Sequence, residues 1–70
     1  MVEKTIDLTG TSSIGIEDAV QLAVKRASIT LKNIRQARIV EAVALVDKDA
    51  VTRWHVRVEV TFGIQDSVHE

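Results

Sequence analysis

The sequence has no cysteine, two histidines, and a single tryptophan and a single phenylalanine as its only large aromatics. Without cysteine no disulfide can hold a small domain together, and two histidines alone do not make a Cys/His zinc site. Charge of one sign is lacking too. Nine basic residues face ten acidic ones, and no basic stripe suggests nucleic acid. No apolar run is long enough to span a membrane, and the N-terminus Met1-Val2-Glu3-Lys4 leads straight into a strand pattern rather than a signal peptide. The expectation is a cytoplasmic protein with neither nucleic-acid nor membrane partners.

What is present is a 70-residue chain that is 46% apolar. It forms one domain, residues 1–70, and a domain this small hides only about 60% of its unfolded surface. Disulfides and a zinc site being excluded, oligomerisation is the remaining route to stability.

Residues Val2 to Leu8 alternate in polarity and read as a strand, followed by a Gly/Ser/Thr-rich loop, Thr9-Gly10-Thr11-Ser12-Ser13. A helix is expected from Ile16 to Asn33. Ile16, Ala19, Val20, Ala23, Ala27 and Leu31 form its apolar stripe, and Gly15 is its N-cap. Glu17 and Asp18 open it and Lys25, Arg26 and Lys32 close it, as the helix dipole favours. Its alanines invite close approach by a sheet.

Two strands follow, Arg35 to Val46 and Ala50 to Phe62, joined at Asp47-Lys48-Asp49. The last one places Thr52, Trp54, Val56, Val58, Val60 and Phe62 on one face and Arg53, His55, Arg57, Glu59 and Thr61 on the other. The strand before it is apolar on both faces, which implies burial on both. One helix covers one face, so the other must meet a second subunit or a ligand. The tail, Gln65 to Glu70, is expected to fray.

The order strand, helix, strand, strand resembles the dodecin family. Leu8-Thr9-Gly10-Thr11-Ser12 is similar to its strand-to-helix loop, Glu17-Asp18-Ala19-Val20, Arg26-Ala27-Ser28 and Thr30-Leu31 to its helix, and Val56 to Phe62 to its last strand. The resemblance implies an α+β fold, βαββ, with a three-stranded antiparallel sheet wrapped around one helix and twelve copies forming a hollow homo-dodecamer. It also implies ligand binding at subunit contacts, flavin in most members. The sequence departs from the family at that site. Gln36 stands where flavin-binding members carry a stacking tryptophan, and His55 stands where they carry a glutamine. A stacked aromatic is worth roughly 1 kcal/mol beyond its burial, and glutamine offers no such surface. The string Ile34-Arg35-Gln36-Ala37-Arg38-Ile39-Val40-Glu41 resembles the calcium-dodecin branch instead.

Gln36 and His55 are read as facing each other across the sheet, in a polar ligand pocket or as an interface hydrogen bond. Glu41, on the parity of Ala37 and Ile39, is a carboxylate in an apolar row and needs a partner. That partner is either a cation shared with Glu17 of the same or another subunit, since calcium takes several oxygens, or a salt bridge to Arg38, Arg53 or Arg57 of a neighbour. Asp47 and Asp49 read as a solvated turn, and Trp54 as core or interface. No nucleophile-base pair is apparent, so the chain is not expected to be an enzyme. The expected function is a homo-oligomeric store that binds a small ligand or ion, with calcium ahead of flavin. A purely structural shell is the alternative.

Overall fold

The computed structural model describes residues 2–64, so the tail expected to fray lies outside the described residues. Strand β1 is Val2–Ser12, helix α1 Ile16–Ala27, β2 Ile34–Asp47 and β3 Ala50–Ile64. The three strands form one antiparallel sheet in the order β1-β3-β2. The βαββ arrangement is as expected, with the last strand at the centre and α1 lying on one face.

The core sits between α1 and the middle of β3. Val56, Val58 and Val60 are fully buried, and Ala19, Ala23 and Ala27 of α1 face inward. Alanine there lets helix and sheet backbones come close, and Gly10 takes this furthest. A Cβ on Gly10 would lie 2.0 Å from the Ala19 carbonyl oxygen, so only glycine fits. This accounts for a departure from expectation. Thr9 to Ser12 is not loop but the last stretch of β1, paired with Arg57 to Trp54. A glycine within a strand marks a close backbone approach as often as a break.

The helix ends at Ala27, not at Asn33. The Ser28 hydroxyl donates to the Lys25 carbonyl at 2.7 Å, and the β-branched Ile29 and Thr30 follow. The Thr30 and Leu31 N–H groups both turn back to the Ala27 carbonyl. Asn33 then adopts φ 60°, a left-handed conformation asparagine tolerates, and its carbonyl accepts the Gly63 N–H at 2.9 Å. At the other end Gly15 is the N-cap as expected but has no side chain to cap with. Ser12, nearly buried, does that work. Its hydroxyl accepts the Ile14 N–H at 2.9 Å and donates to the Asp18 carboxylate at 2.6 Å.

Strand β2 contains irregularities that sequence alternation cannot reveal. One falls between Ile39 and Glu41: Ile39 pairs with Val58 and Glu41 with Arg57, leaving Val40 as the extra residue of a bulge. Glu41 is therefore not on the side of Ala37 and Ile39, a correction to the expected parity. Ile34, Ala37, Ile39, Ala42 and Ala44 share the helix side, and Gln36, Arg38, Glu41, Val43 and Leu45 the other. Nor is β2 buried on both faces within one subunit. It is an edge strand with no buried residue. The hairpin closes through Lys48 and Asp49 with φ 50° and 65°, the positive angles a two-residue type I′ turn requires.

The subunit is long for its size. Its radius of gyration is 14.9 Å, against about 11 Å for a compact chain of this length. A 12-residue helix spans about 18 Å, whereas the 15 residues of β3 span about 50 Å. Much of the sheet's helix side therefore extends beyond the helix.

Candidate functional site

The two faces of the sheet differ in chemistry, and the pairing register defines both. On the face away from α1, successive rows across β1, β3 and β2 read Thr11-His55-Val43, Thr9-Arg57-Glu41, Asp7-Glu59-Arg38 and Thr5-Thr61-Gln36. This face is a polar lattice. The hydroxyls of Thr5 and Thr61 lie 3.0 Å apart, and the Arg38 guanidinium donates to Glu59 at 2.6 Å. Thr9, Glu41, Val43, Leu45, His55 and Arg57 line a hollow of 280 Å³ on it.

The helix side carries an open groove of 890 Å³ between the start of α1 and the sheet. Its apolar wall is Ile14, Ile16, Val20, Ile39 and Trp54, and its rim carries Glu17 and Asp18. Ile14 is 80% exposed and Ile39 49%. Both described aromatic side chains, Trp54 and Phe62, belong to the helix side, since they share the parity of Val56, Val58 and Val60. Among the described residues, the face carrying Gln36 and His55 has no indole or phenyl ring, only the small imidazole of His55.

The expected site residues are distributed accordingly. Gln36 and His55 share the polar face but do not oppose each other. Gln36 pairs with Thr61 and His55 with Val43, and the six residue steps of β3 from 55 to 61 separate them by about 20 Å. Glu41 lies in the hollow beside His55, and its cross-strand neighbour within the subunit is Arg57. Glu17 lies at the groove on the opposite side of the sheet. Within one subunit Glu17 and Glu41 are thus kept apart, and among the described residues no three His, Cys, Asp or Glu side chains gather as a metal site. Any cation held by both acids must bridge two copies. Sequence pattern alone missed the groove at Trp54, because Ile14 sits in a loop and Ile39 on another strand. Only the register brings them together. Among the described residues no helix is long and apolar enough to cross a membrane.

The chain was compared with known proteins. The family model described as Dodecin matches residues 2–65. The calcium dodecin of Mycobacterium tuberculosis is 38% identical over 64 residues, covering 91% of this chain and 90% of that one. The dodecin of Thermus thermophilus is 32% identical over 66 residues, covering 94% and 96%. The crystal structure of the calcium-chelating immunodominant antigen, calcium dodecin, from M. tuberculosis, described as having a novel calcium-binding site, superimposes with a TM-score of 0.80 at 34% identity over the full length of both chains. The βαββ order, the helix-embracing sheet and these matches lead to one conclusion: the chain belongs to the dodecin family.

Proposed function

We propose that this chain is a binding protein and not an enzyme, and that it works as a hollow homo-dodecamer, taking up a small ligand or cation where copies meet. The observation that carries the assembly is the exposed apolar surface of the lone subunit. Ile14, Ile39, Val46 and Val51 are each about half exposed or more, and no residue of β2 is fully buried. Monomeric proteins rarely leave so much contiguous apolar surface in water.

For the ligand, calcium is favoured over flavin. Trp54 and Phe62 are both on the helix side, so the polar face offers hydrogen bonds from Gln36 and His55 but no indole or phenyl ring to stack on an isoalloxazine. The similarity to a calcium dodecin supports the same reading. Because Glu41 and Glu17 lie on opposite sides of one sheet, a calcium site using either one draws further oxygens from a neighbouring copy.

The test combines three measurements on the purified protein. Light scattering is expected to give a mass many times 7.7 kDa. Calcium is expected to raise the melting temperature and a chelator to lower it. Riboflavin fluorescence is expected to stay unquenched when the protein is added. A melt indifferent to calcium and chelator, together with strong riboflavin quenching, would reverse the ligand assignment. A colourless oligomer inert to both would leave a structural shell.

A further inference from the structure

We propose that the hollow on the polar face, with Arg57 as its anchor, is a binding site for a small organic phosphate. It is separate in chemistry from the cation reading above and does not depend on it.

The charges of the polar face are sorted along the sheet. At one end Glu3 is paired with Arg35 at 3.6 Å and Glu59 with Arg38 at 2.6 Å. At the other end the central strand places Arg53, His55 and Arg57 at alternate positions, on one face and about 7 Å apart. The rows through these three residues hold a single acid, Glu41, opposite Arg57. Among the described residues neither Arg57 nor Glu41 makes an ion pair or a side-chain hydrogen bond, although they are cross-strand neighbours. The donors of Arg57 are therefore uncommitted where those of Arg38 are taken.

The shape of the hollow selects among anions. Thr9, on β1, and Arg57 and His55, on β3, bring a hydroxyl, a guanidinium and an imidazole to its lining. Donors from two strands suit the tetrahedral oxygens of a phosphate better than the two coplanar oxygens of a carboxylate, and the guanidinium fork matches either. The rest of the lining is Glu41 and the aliphatic Val43 and Leu45. At 280 Å³ the hollow has room for more than a phosphate group, so the aliphatic pair is left to cover an apolar body attached to it. This division, a few convergent polar groups with an apolar wall, is that of a small-molecule site.

A polyanion does not fit. Asp7 and Glu59 stand in the next row along the same face, and the whole chain carries a net charge of −1. A nucleic acid running along the sheet would meet those carboxylates as soon as it left the arginines. Glu41 also opposes any anion on Arg57. It lowers the affinity, and it gives the test its sign.

The test is a calorimetric titration of the assembled protein, in chelator, with inorganic phosphate, phenyl phosphate and benzoate. Phenyl phosphate is expected to bind tightest, because it alone uses both the donors and the wall of Val43 and Leu45. Arg57→Gln should weaken it at least about tenfold, the scale of one lost charge-assisted contact. Arg57→Lys should recover only part of that loss, because lysine keeps the charge without the fork. Glu41→Gln should tighten phenyl phosphate binding, the opposite of its effect on a calcium site. Arg57 is exposed, so its variants should scatter light like the parent. Thr9→Val, on another strand, should also weaken binding and keeps the result decisive if the Arg57 variants fail to fold. Phenyl phosphate that binds the parent and Arg57→Gln equally, or benzoate that binds as tightly as phenyl phosphate, would overturn the proposal. A protein stabilised by calcium that takes up no phenyl phosphate would remove this site and leave the cation reading. Phenyl phosphate binding in a protein indifferent to calcium would do the reverse.

Discussion

Strands β2 and β3 are hairpin partners of nearly equal length, 14 and 15 residues, and both are rich in apolar side chains. Yet β3 holds three fully buried valines and β2 has no buried residue. Their apolar content does not explain the difference. Their position does. The central strand has a neighbour on each edge and the helix above it, whereas β2 has one neighbour and an open edge. Residues of the same kind therefore stabilise the subunit on β3 and are available to stabilise an assembly on β2. An exposed strand edge of this length is normally blunted or covered, which is the assembly argument seen from the backbone.

The largest effect is expected from the covered half. Gly10→Ala sets a methyl against the Ala19 carbonyl, a backbone atom that cannot swing aside. Overpacking costs about 1–3 kcal/mol and more where nothing yields. In a domain this small that should abolish cooperative unfolding by circular dichroism. A Gly10→Ala protein that melts like the parent would mean that the helix does not press on β1 as closely as the geometry requires.

The cross-strand pair Val58 and Ile39 sharpens the comparison directly. Val58→Ala removes two buried methyl groups and should cost about 2 kcal/mol, cavity included. That loss should appear at every protein concentration. Ile39→Ala acts on a half-exposed residue, so its penalty should be carried by assembly and grow on dilution. Denaturant melts at two concentrations a hundredfold apart separate the two behaviours. The same concentration dependence for both variants would erase the distinction between the strands.

The same contrast explains how much was readable from sequence. The period-two pattern of β3 located both of its faces, because β3 is regular between Trp54 and Phe62 and its faces meet opposite environments. On β2 the bulge at Val40 shifted parity and moved Glu41 to the polar face, beside Arg57. A bulge leaves no mark in an alternating apolar row. The helix stripe continued to Leu31 by spacing, but the chain turned at Ser28, where a side-chain hydroxyl competed for the Lys25 carbonyl. The candidate site suffered most. Residue type singles out Gln36, His55, Glu41 and Glu17, whereas their separation depends on register and on the side of the sheet.

A smaller effect is expected at the junction of the two halves. Ser12 is nearly buried, and its one hydroxyl holds both the Ile14 N–H and the Asp18 carboxylate. Ser12→Ala should cost about 1 kcal/mol, as the loss of a helix-start hydrogen bond usually does. Ser12→Thr keeps the hydroxyl and should recover most of that loss if the hydrogen bonds are its source. Failure of threonine to rescue would point to packing at that position instead.

The smallest effect should come from the best-looking ion pair. Arg38 and Glu59 meet at 2.6 Å between β2 and β3, but the arginine side chain is 65% exposed. Water screens such a pair and ordering the long side chain offsets the attraction, so Arg38→Ala should cost less than about 1 kcal/mol and still less at high salt. A double-mutant cycle with Glu59→Gln measures the coupling free of other effects. A coupling well above 1 kcal/mol that survives high salt would mean that water does not reach the pair in the working protein. The polar face would then be covered in the assembly, and the division into one solvated and one joined face would have to be redrawn with β2 closed on both sides.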